Sequence, residues 1–308
     1  MKILATGGAG FIASHVVDAL IEKGHEIVVV DNLYCGFEKN INPKAKFHKL
    51  DIGDPEIQNL VAEFKPEVVI HHAAQMDVRK SVSDPMFDAT TNVIGSLNLL
   101  EACRKNGVRK FMFSSTGGAI YGEQDYFPAD EEHPLRPLSP YGITKLCLEK
   151  YLFYYKEVFG LEHVILRYGN IYGPRQNPHG EAGVIAIFIK KILAGEQPVI
   201  NGPGTQTRDY TYVGDVVQAN LLALDYKKSG IFNVGTGIET DVNRLFTVIN
   251  QALGNPAKEI HAEAKAGEQQ RSVLSTRKIS EELGWAQKMS LEEGLKITVE
   301  WFKSHHQG

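Results

Sequence analysis

The stretch KILATGGAGFIA, residues 2–13, decides how this chain folds. An apolar run, Ile3-Leu4-Ala5, breaks at Gly7, Gly8 and Gly10, and helical spacing then takes over, with Ile12, Val16, Ala19 and Leu20 on one face up to a terminating Gly24. A strand that turns into a helix through glycines is the geometry a dinucleotide needs. Gly7 permits the tight turn, Gly10 lets the backbone approach a pyrophosphate, and Ala13 allows close helix–sheet packing. The phosphates would sit on the helix start at Phe11 and Ile12, where free N–H groups and the helix dipole favour anions.

The pattern repeats outward from this turn. Strands are expected over residues 2–5, 26–30, 46–50, 67–71, 110–113 and 164–167, and helices fill the gaps. Asp54-Pro55 and Asp84-Pro85 each place a cap residue before a first-turn proline. This alternation predicts an α/β fold, a Rossmann-type doubly wound parallel sheet with a smaller C-terminal substrate-binding lobe. Residues 1–170 are expected to form the cofactor domain and 171–308 mainly the lobe, with residues 206–235 returning to the sheet through a helix at 214–226. Asp31 ends the second strand, 21 residues beyond Gly10, where a carboxylate grips the adenosine ribose. It would repel a 2′-phosphate, so NAD is expected rather than NADP. Asp51-Ile52 and His72-Ala73-Ala74 fall at the next strand ends, where adenine and pyrophosphate would pass.

Composition narrows the function classes. The 308 residues carry 33 basic and 37 acidic side chains, a net charge of −4, without a basic run to neutralise phosphates, so no nucleic-acid partner is expected. No apolar run approaches the ~20 residues that span a bilayer, so no membrane association is expected. Cys35, Cys103 and Cys147 have no metal-ligand or redox spacing and read as free thiols, and no metal is expected. With no leader before the first strand, a cytoplasmic protein is the expectation.

The segment YGITK puts Tyr141 and Lys145 four residues apart on one helical face. A tyrosine hydroxyl has an ordinary pKa of about 10, and making it a base near neutrality takes about 4 kcal/mol. A lysine ammonium beside the phenolate supplies that electrostatically. The pair follows a strand ending in Ser114-Ser115-Thr116, which offers a second catalytic hydroxyl.

With these motifs the chain resembles the extended short-chain dehydrogenase/reductase family, and within it the UDP-glucose 4-epimerases. The likeness runs through TGGAGFIASH (residues 6–15), DNL (31–33), HHAAQ (71–75), FSSTGGAIYGE (113–123), SPYGITK (139–145), LRYGNIYGPRQ (166–176) and QTRDYTYVGDV (206–216). It implies Tyr141 as base, Lys145 as its partner, and Thr116 or, in reserve, Ser115 as the catalytic hydroxyl. It also implies cofactor contacts from Asn32, Asn92, Ser114 and Tyr168. Asn170 would meet the substrate diphosphate together with Lys265 or Arg271, Arg208 and Tyr210 the nucleotide, and Val184 and Glu268 the rest of the substrate. Ser272 would line the sugar end, where a small residue leaves room for an acetamido group and thus for UDP-GlcNAc and UDP-GalNAc beside UDP-glucose and UDP-galactose. Helices at 92–105 and 141–159 would pair two copies into a homodimer.

The chain departs from the family pattern in three places. The usual hydroxyl position, five residues before Gly122, is Gly117, so one residue is inserted. A cofactor-contacting lysine of one branch is replaced by Met76, and a diphosphate arginine by Lys265. The competing enzyme readings are a UDP-glucuronate 4-epimerase or decarboxylase and a dTDP-glucose 4,6-dehydratase-like enzyme. Dehydration needs an Asp-Glu pair after the threonine, where this chain has Gly117-Gly118. The non-enzyme reading is an NAD-sensing regulatory protein, which has no use for the hydroxyl, tyrosine and lysine together.

Overall fold

The computed structural model describes residues 1–177, 183–264 and 269–305. Strands and helices alternate through β1 (Lys2–Thr6), α1 (Phe11–Glu22), β2 (Glu26–Asp31), β3 (Lys46–Lys49), α2 (Glu56–Phe64), β4 (Val68–His71), α3 (Val78–Ser83), α4 (Pro85–Ala89), α5 (Ser96–Lys105), β5 (Lys110–Thr116), the one-turn α6 (Gly117–Ile120), α7 (Pro140–Phe159) and β6 (Glu162–Tyr168). Then come β7 (Asn170–Tyr172), α8 (Val184–Leu193), β8 (Ile200–Asn201), β9 (Thr207–Tyr212), α9 (Val213–Asp225), β10 (Gly230–Val234), β11 (Glu239–Asp241), α10 (Val242–Ala252), β12 (His261–Ala262), α11 (Arg277–Leu283) and α12 (Leu291–His305).

Seven strands lie parallel in the order β10-β6-β5-β4-β1-β2-β3. Successive strand residues point to opposite faces, so a sheet covered on both sides needs apolar residues at every position. Ile3, Val29, Ile70 and Phe232 pack beneath Val16 and Leu20 of α1 and Val216 and Ala219 of α9. On the other face Leu4, Val28, Val69 and Phe111 meet Ile57 of α2, Leu99 of α5 and Leu148 and Leu152 of α7. This is the doubly wound Rossmann-type sheet expected from the sequence, with each expected strand present. The order reverses between β1 and β4, which opens a crevice at the carboxyl ends of the strands.

Two details were not expected. The returning segment, residues 206–235 with α9 as its helix, packs α9 on α1 and then adds a further edge strand, β10, beside β6. The helix expected to start at Asn92 opens with a π-helical turn, Thr90–Gly95. A smaller lobe holds the sheet β11-β9-β7 and its own core of Tyr172, Ile185, Phe188, Leu245, Ile249, Leu295 and Val299. Among the described residues no helix is long and apolar enough to cross a membrane, and no group of three or more His, Cys, Asp or Glu is arranged to hold a metal ion.

Candidate active site

The glycine loop closes on the ends of β2 and β4. Gly7 has φ +72°, and a Cβ there would lie 2.7 Å from the Ala73 nitrogen, so only glycine fits. The Gly10 N–H donates to the Gly7 carbonyl at 2.9 Å and leads into α1 without a side-chain cap, which leaves the first N–H groups of that helix for a ligand. The Asp31 carboxylate accepts from the Ala9 N–H at 3.0 Å and the Leu33 N–H at 2.8 Å. Burial raises its pKa even though these two donors favour the charged form. Asp31 therefore braces the loop and still faces the cleft.

That cleft, of about 430 Å³, is lined by Gly7, Gly10, Phe11, Ile12, Asp31, Asn32, Asp51, Ile52, His72, Ala73, Ala74, Ser114, Ser115, Tyr141, Lys145 and Tyr168. The residues named from sequence as cofactor contacts thus meet along one groove, with one exception. Asn92 does not line it, because its amide is committed elsewhere. Its Oδ1 accepts from the Gln75 N–H at 2.8 Å, and its Nδ2 donates to the Gln75 carbonyl at 2.8 Å and to Asp88 at 3.1 Å. Asn92 is a strut between the π turn and the loop after β4. Sequence reasoning missed Tyr34, Phe87, Arg175 and Asn177, which also line the groove. Arg175 stands in a left-handed backbone conformation, φ +67°, and pairs with Asp18 of α1 at 2.8 Å. Its motif, YGPRQ, was the signal that could have found it.

At the inner end, α7 begins at Ser139, whose Oγ accepts from the Gly142 N–H at 3.1 Å, with Pro140 in the first turn. This start points Tyr141 and Lys145 back at the end of β5. The buried Lys145 ammonium donates to the Ser114 carbonyl at 2.8 Å and lies 5.8 Å from the centre of the Tyr141 ring. Burial lowers its pKa to about 8, against the opposing pull of the Asp88 and Glu149 carboxylates. Burial and the Lys145 charge push the His72 ring down to about 3, so it stays neutral. Its Nδ1 is buried without a partner among the described residues, while its Nε2 sits 3.2 Å from the Tyr168 hydroxyl.

The two hydroxyls after β5 differ. Ser115 donates to Glu149 at 2.6 Å, and Glu149 is clamped by Arg167 at 2.6 Å in a fully buried ion pair. The Thr116 hydroxyl has no hydrogen-bond partner among the described residues. A Cβ on Gly118 would lie 3.9 Å from Thr116 Oγ1 and 3.6 Å from Asn170 Oδ1, so the two side chains share one small space.

A second cleft, of about 520 Å³, adjoins the first, and Met76 lines both. Asn170, Val184, Arg208 and Tyr210 line it. Arg271 and Ser272 line neither cleft. The Arg271 guanidinium is taken by Glu239, at 2.5 and 3.0 Å, and stacks 3.7 Å from the centre of the Phe127 ring. Ser272 is only 2% exposed, enclosed in a segment that runs between the two lobes. Glu268 and Lys265 lie outside the described residues.

A parallel sheet of this order, a glycine turn braced by a carboxylate at the end of β2, and a tyrosine–lysine pair beside the resulting groove define an enzyme built around a nicotinamide dinucleotide. Glycines that no side chain could replace and the unpaired His72 Nδ1 fit that cofactor. The chain belongs to the NAD dependent epimerase/dehydratase family, whose model matches residues 3–235. A crystal structure of a UDP-glucose 4-epimerase from Thermotoga maritima with UDP-glucose is 50% identical, covers 100% of each chain and superposes with a TM-score of 0.97. One from Thermus thermophilus in complex with NAD is 44% identical over 98% of this chain and 99% of that one, with a TM-score of 0.93. A UDP-glucose 4-epimerase of Mycolicibacterium smegmatis is 44% identical over 100% of both chains.

Proposed function

We propose that the protein is a UDP-glucose 4-epimerase that interconverts UDP-glucose and UDP-galactose; the extension to N-acetyl sugars rested on Ser272, which lines neither cleft, and is not carried forward. The observation that carries this reading is that the groove lined by Tyr141 and Lys145 adjoins, through Met76, the cleft lined by Asn170, Arg208 and Tyr210. Bound NAD supplies a hydride acceptor and donor at the sugar C4. Tyr141 accepts the C4 hydroxyl proton, and the Lys145 ammonium stabilises the phenolate. Thr116, whose hydroxyl has no partner among the described residues, orients the C4 oxygen although it lines neither cleft, while Ser115, which lines the groove, stays bound to Glu149. Arg208 and Tyr210 hold the nucleotide and Asn170 the diphosphate. A firm hold there and a loose one on the hexose let the 4-keto sugar turn its other face to the cofactor.

Gly117 and Gly118 occupy the place where a dehydratase needs an acid and a base, which disfavours elimination of water. Exposed apolar side chains on the long helices, Ile94, Ile143, Phe153 and Val158, support pairing of two copies across these helices. Thiols that form no disulfide among the described residues support a reducing, cytoplasmic setting. Incubation of the pure protein with UDP-glucose, UDP-N-acetylglucosamine and UDP-glucuronate, followed by separation of products, tests the assignment. UDP-galactose is the expected product. A 4-keto-6-deoxy sugar, or turnover of UDP-glucuronate alone, would replace this reading with one of its competitors.

A further inference from the structure

We propose that Leu274 is the positioning residue for Thr116, and that through it the strand carrying the nucleotide contacts sets the geometry of the catalytic turn. The proposal rests on the role given to Thr116 above.

Residues 269–275 run as a strip fastened on both sides. Toward the sheet domain, Gln269 Nε2 donates to the Gly122 carbonyl at 2.6 Å and the Val273 N–H to Gln124 Oε1 at 3.1 Å. The Ala129 N–H donates to the Val273 carbonyl at 3.0 Å, and the Ser275 N–H to the Ala129 carbonyl at 2.7 Å. Toward the small lobe, the Leu274 N–H donates to Asp209 Oδ2 at 3.2 Å. Asp209 is buried and also takes the Thr236 N–H and hydroxyl, both at 2.7 Å, and the Gly237 N–H at 3.1 Å. It sits in β9 between Arg208 and Tyr210. Strand alternation turns those two toward the substrate cleft and Asp209 toward the strip.

Leu274 is wholly buried with Ile120, Tyr121 and Ala129, the residues that follow the catalytic hydroxyl. A Cβ on Gly117 would come within 2.5 Å of Leu274 Cδ1 and 2.8 Å of Cδ2. The leucine methyls therefore fill the place of a side chain at 117, and this explains why the hydroxyl stands one position earlier, at 116. Thr116 heads α6, and its hydroxyl has no protein partner among the described residues, so its direction is set by the backbone that Leu274 presses against. Catalytic geometry is sensitive on this scale, since a misplacement of about 1 Å can cost on the order of 10²-fold in rate.

The test is a cycle of four proteins: wild type, Thr116→Val, Leu274→Ala and the double variant. Each is measured for kcat and KM with UDP-glucose and for NAD affinity by calorimetry. Leu274→Ala is expected to lower kcat roughly 10-fold or more while KM and NAD affinity stay within about 2-fold, and to add nothing in the Thr116→Val background. Leu274→Met, which conserves volume and tolerates core packing, gives a smaller loss with the same dependence on Thr116 and serves if the alanine variant does not fold. Gly117→Ala combined with Leu274→Ala restores part of kcat by refilling the space from the other side. Full turnover in Thr116→Val would overturn the role of Thr116 itself. A loss in Thr116→Val with normal kcat in both Leu274 variants, or with additive losses in the double variant, would overturn the positioning role alone.

Discussion

The cofactor groove and the substrate cleft were reached by the same reading with different success. Of the residues named for the groove, all but Asn92 line it. Of those named for the substrate alone, Asn170, Val184, Arg208 and Tyr210 line the second cleft, whereas Arg271 and Ser272 do not. The groove is made of strand ends and the turns that leave them, so a residue's place follows from its offset within one βα unit. The second cleft is assembled from the loop after β4, the β7–α8 region, β8 and β9, which are far apart in sequence. The lesson is that local offsets transfer from sequence to space only within a unit whose internal geometry is already determined.

Three substitutions probe that contrast. Tyr141→Phe has the largest expected effect, a loss of about 10²–10⁴-fold in kcat with NAD affinity unchanged, because the ring's packing survives without its hydroxyl. Near-normal turnover of UDP-glucose would remove Tyr141 from the chemistry. Asp31→Ala comes next, since it deletes the ribose acceptor and releases the Ala9 and Leu33 N–H groups. Calorimetry should give NAD binding weaker on the order of 10-fold and a narrower preference over NADP. Equal affinities for NAD and NADP in the wild type would contradict the role of the carboxylate. Arg271→Ala has the smallest expected effect, a rise in KM for UDP-glucose below about 3-fold, because the half-exposed guanidinium is already held by Glu239. A tenfold rise would mean that Arg271 leaves Glu239 for the substrate, and would bring the two halves closer in legibility.

The fold was legible where burial imposes a pattern. Strands covered on both faces read as unbroken apolar runs, and the helix expected at 141–159 is α7, which opens at Ser139-Pro140. The return of residues 206–235 to the sheet was expected, but its strand β10 was not named because Gly230–Val234 is short and opens with glycine. Sequence ranked Thr116 ahead of Ser115 but could not show what distinguishes them, which is Glu149, held by Arg167, accepting from Ser115. The contact of Leu274 with Gly117 spans more than half the chain and leaves no local trace. Asn92 was misplaced for a related reason. The π turn that carries it is held by Gln75 and Asp88, so its amide is used inside the protein.

Met76, the side chain common to both clefts, has a mechanical consequence. Methionine is unbranched and pliable, with a thioether that accepts hydrogen bonds only weakly. At the junction it gives the two clefts a shared wall that is apolar and pliable, where a lysine would bring a charge and a strong donor.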